Sequence, residues 1–319
     1  MDMFNNNLVW GVFAYEVKRA IQMKLGIQKN YVYEFAWHGR KVLNDNDGNL
    51  AIQQMIQKQT PFCVARLGTV ESNLIAAVLK QKAHIIKAIQ PIVINQFHIN
   101  AGFFPATQNA CEQYAETVLE LMSAVDLYAC WNTNMEVYYV RNCLKDTAVL
   151  AQYGCLEPFY YDSPWSLALA GKKILVIHPF AKTIEMQYQK REKLFGRGDV
   201  LPAFELKTIR AVQSIAGQDC GFPSWFDALE SMFDQAMSVD FDVCIIGCGA
   251  YAFPLACKLR QNGRSAITMC GPTQLLFGIK GSRWINNPLV TRYFNSNWVF
   301  PSEEETPAQF RKVESGCYW

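Results

Sequence analysis

Arg66, Gly68, Thr69 and Glu71 stand in RLGTVE (66–71), where a short apolar run stops and a helical pattern begins. An arginine at such a turn can grip a phosphate with two parallel N–H groups or pair with the nearby glutamate. A carboxylate in the first helical turn is favoured by the positive end of the helix dipole. Spacing alone leaves both a structural ion pair and a substrate site open. A second group is Gly247, Gly249, Ala250 and Tyr251 in VCIIGCGAYAFPLACKL. Gly247, Gly249 and Ala252 fit the Gly-x-Gly-x-x-Gly/Ala spacing, which lets backbone amides approach a diphosphate at a helix start. Its bland reading is a close strand-to-helix turn. His178 ends ILVIHPF, either as a base or as a hydrogen-bonded structural residue. Gln274 follows the next strand, and Lys280 and Arg283 lie in GIKGSRW, a loop able to hold phosphates or to be a solvated turn.

These groups need elements to position them. FCVARLG reads as a buried strand leading into the helix ESNLIAAVLKQK, and DLYACW as a strand after a helix in ATQNACEQYAETVLELMSAV. GKKILVIHPF is a strand followed by an amphipathic helix, KTIEMQYQKREKLF. DFDVCIIGCGAYAFPLACKLRQNGRSAITMCG is strand, glycine turn, helix, a Gly263 cap and strand. The alternation predicts an α/β, Rossmann-like fold, a mostly parallel sheet with helices on both faces. The reading also expects a helix around 11–25, a strand or aromatic-rich turn at 31–39, a loop at 44–49, a helix at 50–58 and a helix over 135–151. The aromatic connector near residue 165 divides the chain into 1–165, carrying RLGTVE, and 166–319, carrying the glycine turn. In an open parallel sheet the carboxyl ends of the strands face the ligand crevice, so Arg66, Glu71, His178 and the Gly247 turn can converge there.

Composition narrows the function classes. The chain has 319 residues, half of them hydrophobic and 18% charged, enough for a sizeable core. Net charge is +2, and the densest late basic cluster, Lys258, Arg260, Arg264, Lys280 and Arg283, is too small for a duplex-binding surface. Nucleic acid is therefore not an expected partner. Eleven cysteines in apolar surroundings, with no CxxC pair, suit a reducing compartment and a cytoplasmic protein. The N-terminus lacks the features of a secretory signal, and no uninterrupted apolar stretch spans a bilayer. The 13% aromatic content leaves open peripheral contact at the inner membrane face or a lipid-linked substrate. Trp298, Tyr318 and Trp319 near the C-terminus can stack on sugars or dock the tail on the core. Oligomeric state is open.

In combination and order, these motifs resemble a family. RLGTVE resembles the R-[FL]-G-D-G-E turn of the bacterial GT-D type glycosyltransferases; NAGFFP (100–105) is similar to their aromatic loop, GKKILVIHPF to their central strand, and the 242–271 segment to their glycine-turn unit. The likeness runs over residues 60–285. It implies transfer of a sugar from a nucleotide-diphosphate donor, a UDP-sugar, to a bacterial surface glycan or capsular polysaccharide precursor. It also implies an Asp-x-Glu pair that brings a divalent metal to the diphosphate. Here Glu71 matches, but Thr69 stands in place of the aspartate, and a hydroxyl is a poor substitute for an anionic ligand of Mg²⁺ or Mn²⁺. Either the cation comes with the nucleotide diphosphate and binds weakly, or backbone amides, Arg66 and Lys280 neutralise the charge; the latter is favoured. No protein metal ligands are assigned. Glu71 is the candidate base or donor-sugar anchor, His178 the alternative base, and Arg66 and the 247–251 amides serve the leaving group. Two other readings compete: an NAD- or S-adenosylmethionine-dependent Rossmann enzyme and a non-catalytic polysaccharide-biosynthesis protein. Against the first, the strand after the glycine turn ends AITMCG, with no carboxylate for a ribose.

Overall fold

A computed structural model describes residues 6–26 and 30–319. Its strands are β1 (Val42–Leu43), β2 (Cys63–Ala65), β3 (Leu127–Cys130), β4 (Val149–Gln152), β5 (Lys173–His178), β6 (Glu205–Arg210), β7 (Val243–Ile246) and β8 (Ser265–Thr268). They form one eight-stranded sheet in the order β1-β4-β3-β2-β8-β7-β5-β6. Every pairing is parallel, so the expected α/β architecture is present with a wholly parallel sheet. Residues 1–165 and 166–319 supply four strands each, and β2 meets β8 at the centre, with Val64 beside Ile267.

Side-chain alternation divides the core into two layers. Cys63, Ala65, Leu175, Ile177, Cys244 and Ile246 face the helices Thr69–Lys82, Gln108–Leu121, Trp225–Met237 and Ala252–Gln261. Val64, Ile174, Val176, Ile245 and Ile267 face Asp45–Gln57, Ala181–Tyr188 and Pro272–Leu276. Burial on both faces explains why these strands read as continuous apolar runs. All eleven cysteines are free, and all but Cys143, Cys220 and Cys270 are buried.

Several local expectations are corrected. Residues Tyr31–Trp37 are a helix, ended by Gly39 in the left-handed region at φ 73°. The polar run 44–49 is the start of the helix Asp45–Gln57. Asn44 caps it by accepting from the Asp47 amide at 2.8 Å, and Asp45 and Asp47 occupy the favoured acidic first turn. Its Asn49 is buried rather than loop-exposed, accepting from the Trp165 amide at 2.8 Å. Residues 135–151 divide into a helix, Glu136–Cys143, and strand β4, because Leu144 is extended and the Val149 amide donates to the Asp126 carbonyl. The helix after β5 stops at Tyr188.

Candidate functional site

The segments leaving β2 and β7 cross to one face of the sheet, and those leaving β5 and β8 to the other. Such divergence opens a crevice at the carboxyl ends of the strands. A cavity of about 660 Å³ occupies it here. Its wall takes Arg66 from the end of β2, Trp131 from β3, Tyr153 from β4, His178 from β5, Ser214 from the segment after β6, Gly247 from β7 and Cys270 from β8.

Arg66 lies near the middle of this floor. Its backbone amide donates to Thr268 Oγ1 at 3.2 Å, tying the end of β2 to that of β8. The guanidinium lies over the Tyr153 ring at 4.8 Å and the Trp131 ring at 5.2 Å, close enough for cation–π attraction. Trp131 and Tyr153 themselves meet edge to face at 4.1 Å. Among the described residues Arg66 makes no ion pair, with Glu71 or any other carboxylate. Its buried Nε has no hydrogen-bond partner. A buried donor left unmatched costs about 1–3 kcal/mol, so this edge of the guanidinium is suited to an incoming anion.

Three glutamates line the cavity, of which Glu314 is paired with Arg283 and Glu71 and Glu157 are not ion-paired among the described residues. Glu71 folds back onto Gly68, filling the space a β-carbon would take there with its Oε2. Burial pushes the Glu71 carboxyl up, against the pull of its own backbone N–H and of Arg66. Glu157 enters from the turn after β4 and accepts from the Tyr153 hydroxyl at 2.9 Å. Burial pushes it up to about 7, overcoming the Tyr153 hydrogen bond and the Arg66 charge.

His178 is buried, and its Nδ1 accepts from the Phe180 amide at 3.0 Å. Burial pushes the ring down to about 3. A neutral ring with Nδ1 accepting carries its proton on Nε2, which makes His178 a hydrogen-bond donor to the cavity and leaves it poorly suited to act as a base. Gly247 packs directly against it: a β-carbon there would lie 2.7 Å from His178 Cδ2 and 2.5 Å from Thr273 Oγ1. Gly249 has φ 59°, a left-handed conformation that favours glycine and turns the chain into the helix Ala252–Gln261.

The structure sorts the sequence candidates. Arg66, Gly68, Thr69, Glu71, His178, Gly247, Gly249, Tyr251 and Gln274 line the cavity. Ala250 is buried in the core beneath the turn. Gln274 acts as a clamp, its Nε2 donating to the carbonyls of Lys280 at 2.9 Å and Tyr318 at 3.1 Å. Lys280 lies outside the cavity wall, its Nζ over the rings of Phe294 at 5.4 Å and Phe300 at 5.9 Å. Arg283 does reach the wall, stacked over Tyr318 at 4.7 Å and paired with Glu314. Trp298 docks in the core through its indole N–H on the Leu194 carbonyl, whereas Tyr318 and Trp319 line the cavity.

Trp131, Tyr153 and Glu157 were not singled out by spacing. Trp131 is set by buried Glu136, whose carboxylate accepts from the amides of Trp131 at 3.0 Å and Asn132 at 2.7 Å. The Trp131 indole N–H in turn donates to Thr69 Oγ1 at 3.3 Å. The available sequence signal was a strand ending in tryptophan and an aromatic connector with two acids, Glu157 and Asp162, which names no chemistry until the parallel register aligns β2, β3 and β4.

A divalent cation is poorly matched by the donor set. Thr69 offers a hydroxyl already engaged by Trp131, and among the described residues no group of three or more His, Cys, Asp or Glu side chains could hold a metal. The sequence and fold were compared with known proteins: no protein-family model, curated protein or solved structure matches the chain.

Proposed function

We propose that the chain is a glycosyltransferase that moves a sugar from a nucleoside-diphosphate donor, a UDP-sugar, to a glycan acceptor of the bacterial cell surface, working in the cytoplasm. The observation that carries this reading is Arg66: a half-buried cation whose buried Nε–H is unmatched, lying over two aromatic rings and near two carboxylates of raised pKa, in a strand-end crevice. A cavity of this volume accommodates a nucleotide-sized ligand.

In this reading the donor diphosphate lies against Arg66 and the amides of the Gly247–Tyr251 turn. His178 Nε2–H donates to the same anion. Glu157, with a pKa about 7, removes the acceptor hydroxyl's proton as that oxygen attacks the anomeric carbon. The bond from the anomeric carbon to the diphosphate oxygen breaks, and the leaving charge is met by Arg66 and the amides. Glu71 holds donor-sugar hydroxyls. No protein-bound cation takes part in these steps.

A dinucleotide enzyme is the weaker reading because β8 ends in Thr268, whose hydroxyl serves the Arg66 amide, with no carboxylate to receive a ribose. Thermal unfolding with UDP, NAD, S-adenosylmethionine and glycan separates the possibilities. A ligand at a hundred times its Kd stabilises by about 2.7 kcal/mol. UDP alone among the four raising the melting temperature is the expected result; a rise with NAD or S-adenosylmethionine and none with UDP overturns the transferase reading.

A further inference from the structure

The helix Asn6–Lys24 has two apolar faces. One packs on the protein through Gly11, Val12 and Tyr15, with the Tyr15 and Tyr138 rings 5.5 Å apart and Gly11 too close to the Tyr138 hydroxyl for any β-carbon. The other faces outward. Trp10, Phe13, Val17 and Ile21 follow the helical repeat along one side and are 72%, 53%, 44% and 53% exposed. Scattered exposed apolar residues are ordinary, but one apolar stripe is enough to dock a helix and a second, aligned one calls for a partner.

Charge identifies the partner. Lys18, Arg19 and Lys24 lie on the same helix and make no ion pair among the described residues. The helix's one acid, Glu16, is already engaged by Lys80 at 3.0 Å. By the helical repeat Lys18 borders the outward apolar row and Lys24 continues it, both exposed, whereas Arg19 lies on the protein-facing side near Tyr15; an apolar row edged by such cations matches a surface that is apolar below and anionic at its rim. A second copy of the chain fits less well, since pairing the stripes brings both sets of cations together with no free acid to answer them. No helix among the described residues is long and apolar enough to cross a membrane.

We propose that the helix Asn6–Lys24 docks this protein on an anionic lipid bilayer, with Trp10, Phe13, Val17 and Ile21 sunk to the headgroup level and Lys18 and Lys24 against lipid phosphates. This surface is separate from the cavity and does not depend on the reaction proposed for it.

Flotation of the full chain with vesicles of phosphatidylcholine, with and without phosphatidylglycerol, tests the proposal. The protein floats with the anionic vesicles and far less with neutral ones, and added salt releases it. The F13S/V17S/I21S variant, altered only at exposed positions, keeps its melting temperature and loses roughly a hundredfold in partitioning. The K18E/K24E variant loses at least about tenfold, on anionic vesicles only. The proposal is overturned if the wild type does not float with anionic vesicles, or if the triple variant floats equally well. It is also overturned if light scattering shows a dimer that the triple substitution splits while flotation is unchanged.

Discussion

The Tyr153 hydroxyl donates to Glu157 Oε1 at 2.9 Å, and the same tyrosine ring lies under the Arg66 guanidinium at 4.8 Å. One aromatic side chain thus links the cavity's half-buried cation to the carboxyl whose pKa is about 7. The first prediction follows from this link. A base works deprotonated, so transfer rises with pH through a limb near 7. Because the Tyr153 hydrogen bond favours the Glu157 carboxylate, Y153F moves that limb to higher pH. E157Q removes the limb and lowers kcat by about 10²–10⁴. A pH–rate profile of the three proteins checks both statements.

The same group has a stability signature. The folded pKa of Glu157 is raised, so its contribution to stability is fully present below the carboxyl's unfolded value and is lost as pH rises through about 7. The wild type therefore loses stability between roughly pH 4.3 and 7 relative to E157Q. Urea unfolding at several pH values measures the difference.

In the proposed reaction Arg66 grips the donor diphosphate by its planar fork, which lysine does not reproduce. R66K and R66A both weaken UDP binding by about ten- to a hundredfold, a loss of charge-assisted hydrogen bonds worth roughly 1.5–3 kcal/mol. Calorimetric titration is the measurement; full affinity in R66K counts against a bidentate grip.

Thr69 bears on metal dependence. Its hydroxyl accepts from the Trp131 indole at 3.3 Å and is not part of a carboxylate set. A chelator leaves the UDP-induced rise in melting temperature intact. T69D, which restores the acid of the resembled motif, makes UDP binding respond to Mn²⁺. A wild-type shift that vanishes with chelator contradicts the cation-free scheme.

Asp126 ties segments from both halves of the chain. Its carboxylate accepts from the Cys63 amide at 2.8 Å, Arg260 at 2.8 Å and Lys145 at 2.6 Å. Burial works against the charge, but these donors outweigh it and hold the carboxyl below its usual range. Its contribution is thus present above the unfolded value, near 3.9, and is lost as pH falls through the lower folded one. D126A costs about 2–4 kcal/mol at neutral pH through a broken part-buried network. Chemical denaturation reads this directly.

Much of the architecture is written locally. The apolar runs FCVA, LYAC, ILVI and VCII mark strands buried on both faces, and the left-handed Gly249 marks a turn that local backbone sterics require. The sequence alone therefore carries an α/β chain of parallel strands with Arg66, Glu71, His178 and the Gly247 turn at strand ends. It misreads 44–49, since a polar run that caps and buries itself has the letters of a loop. Only the tertiary structure brings Trp131, Tyr153 and Glu157 to Arg66, and only it turns Lys280 away from the cavity. Parallel neighbours are joined by long crossovers, so residues that meet at their ends share no spacing in the chain. Their proximity is decided by the order β4-β3-β2-β8 and by the burial that holds those strands in register.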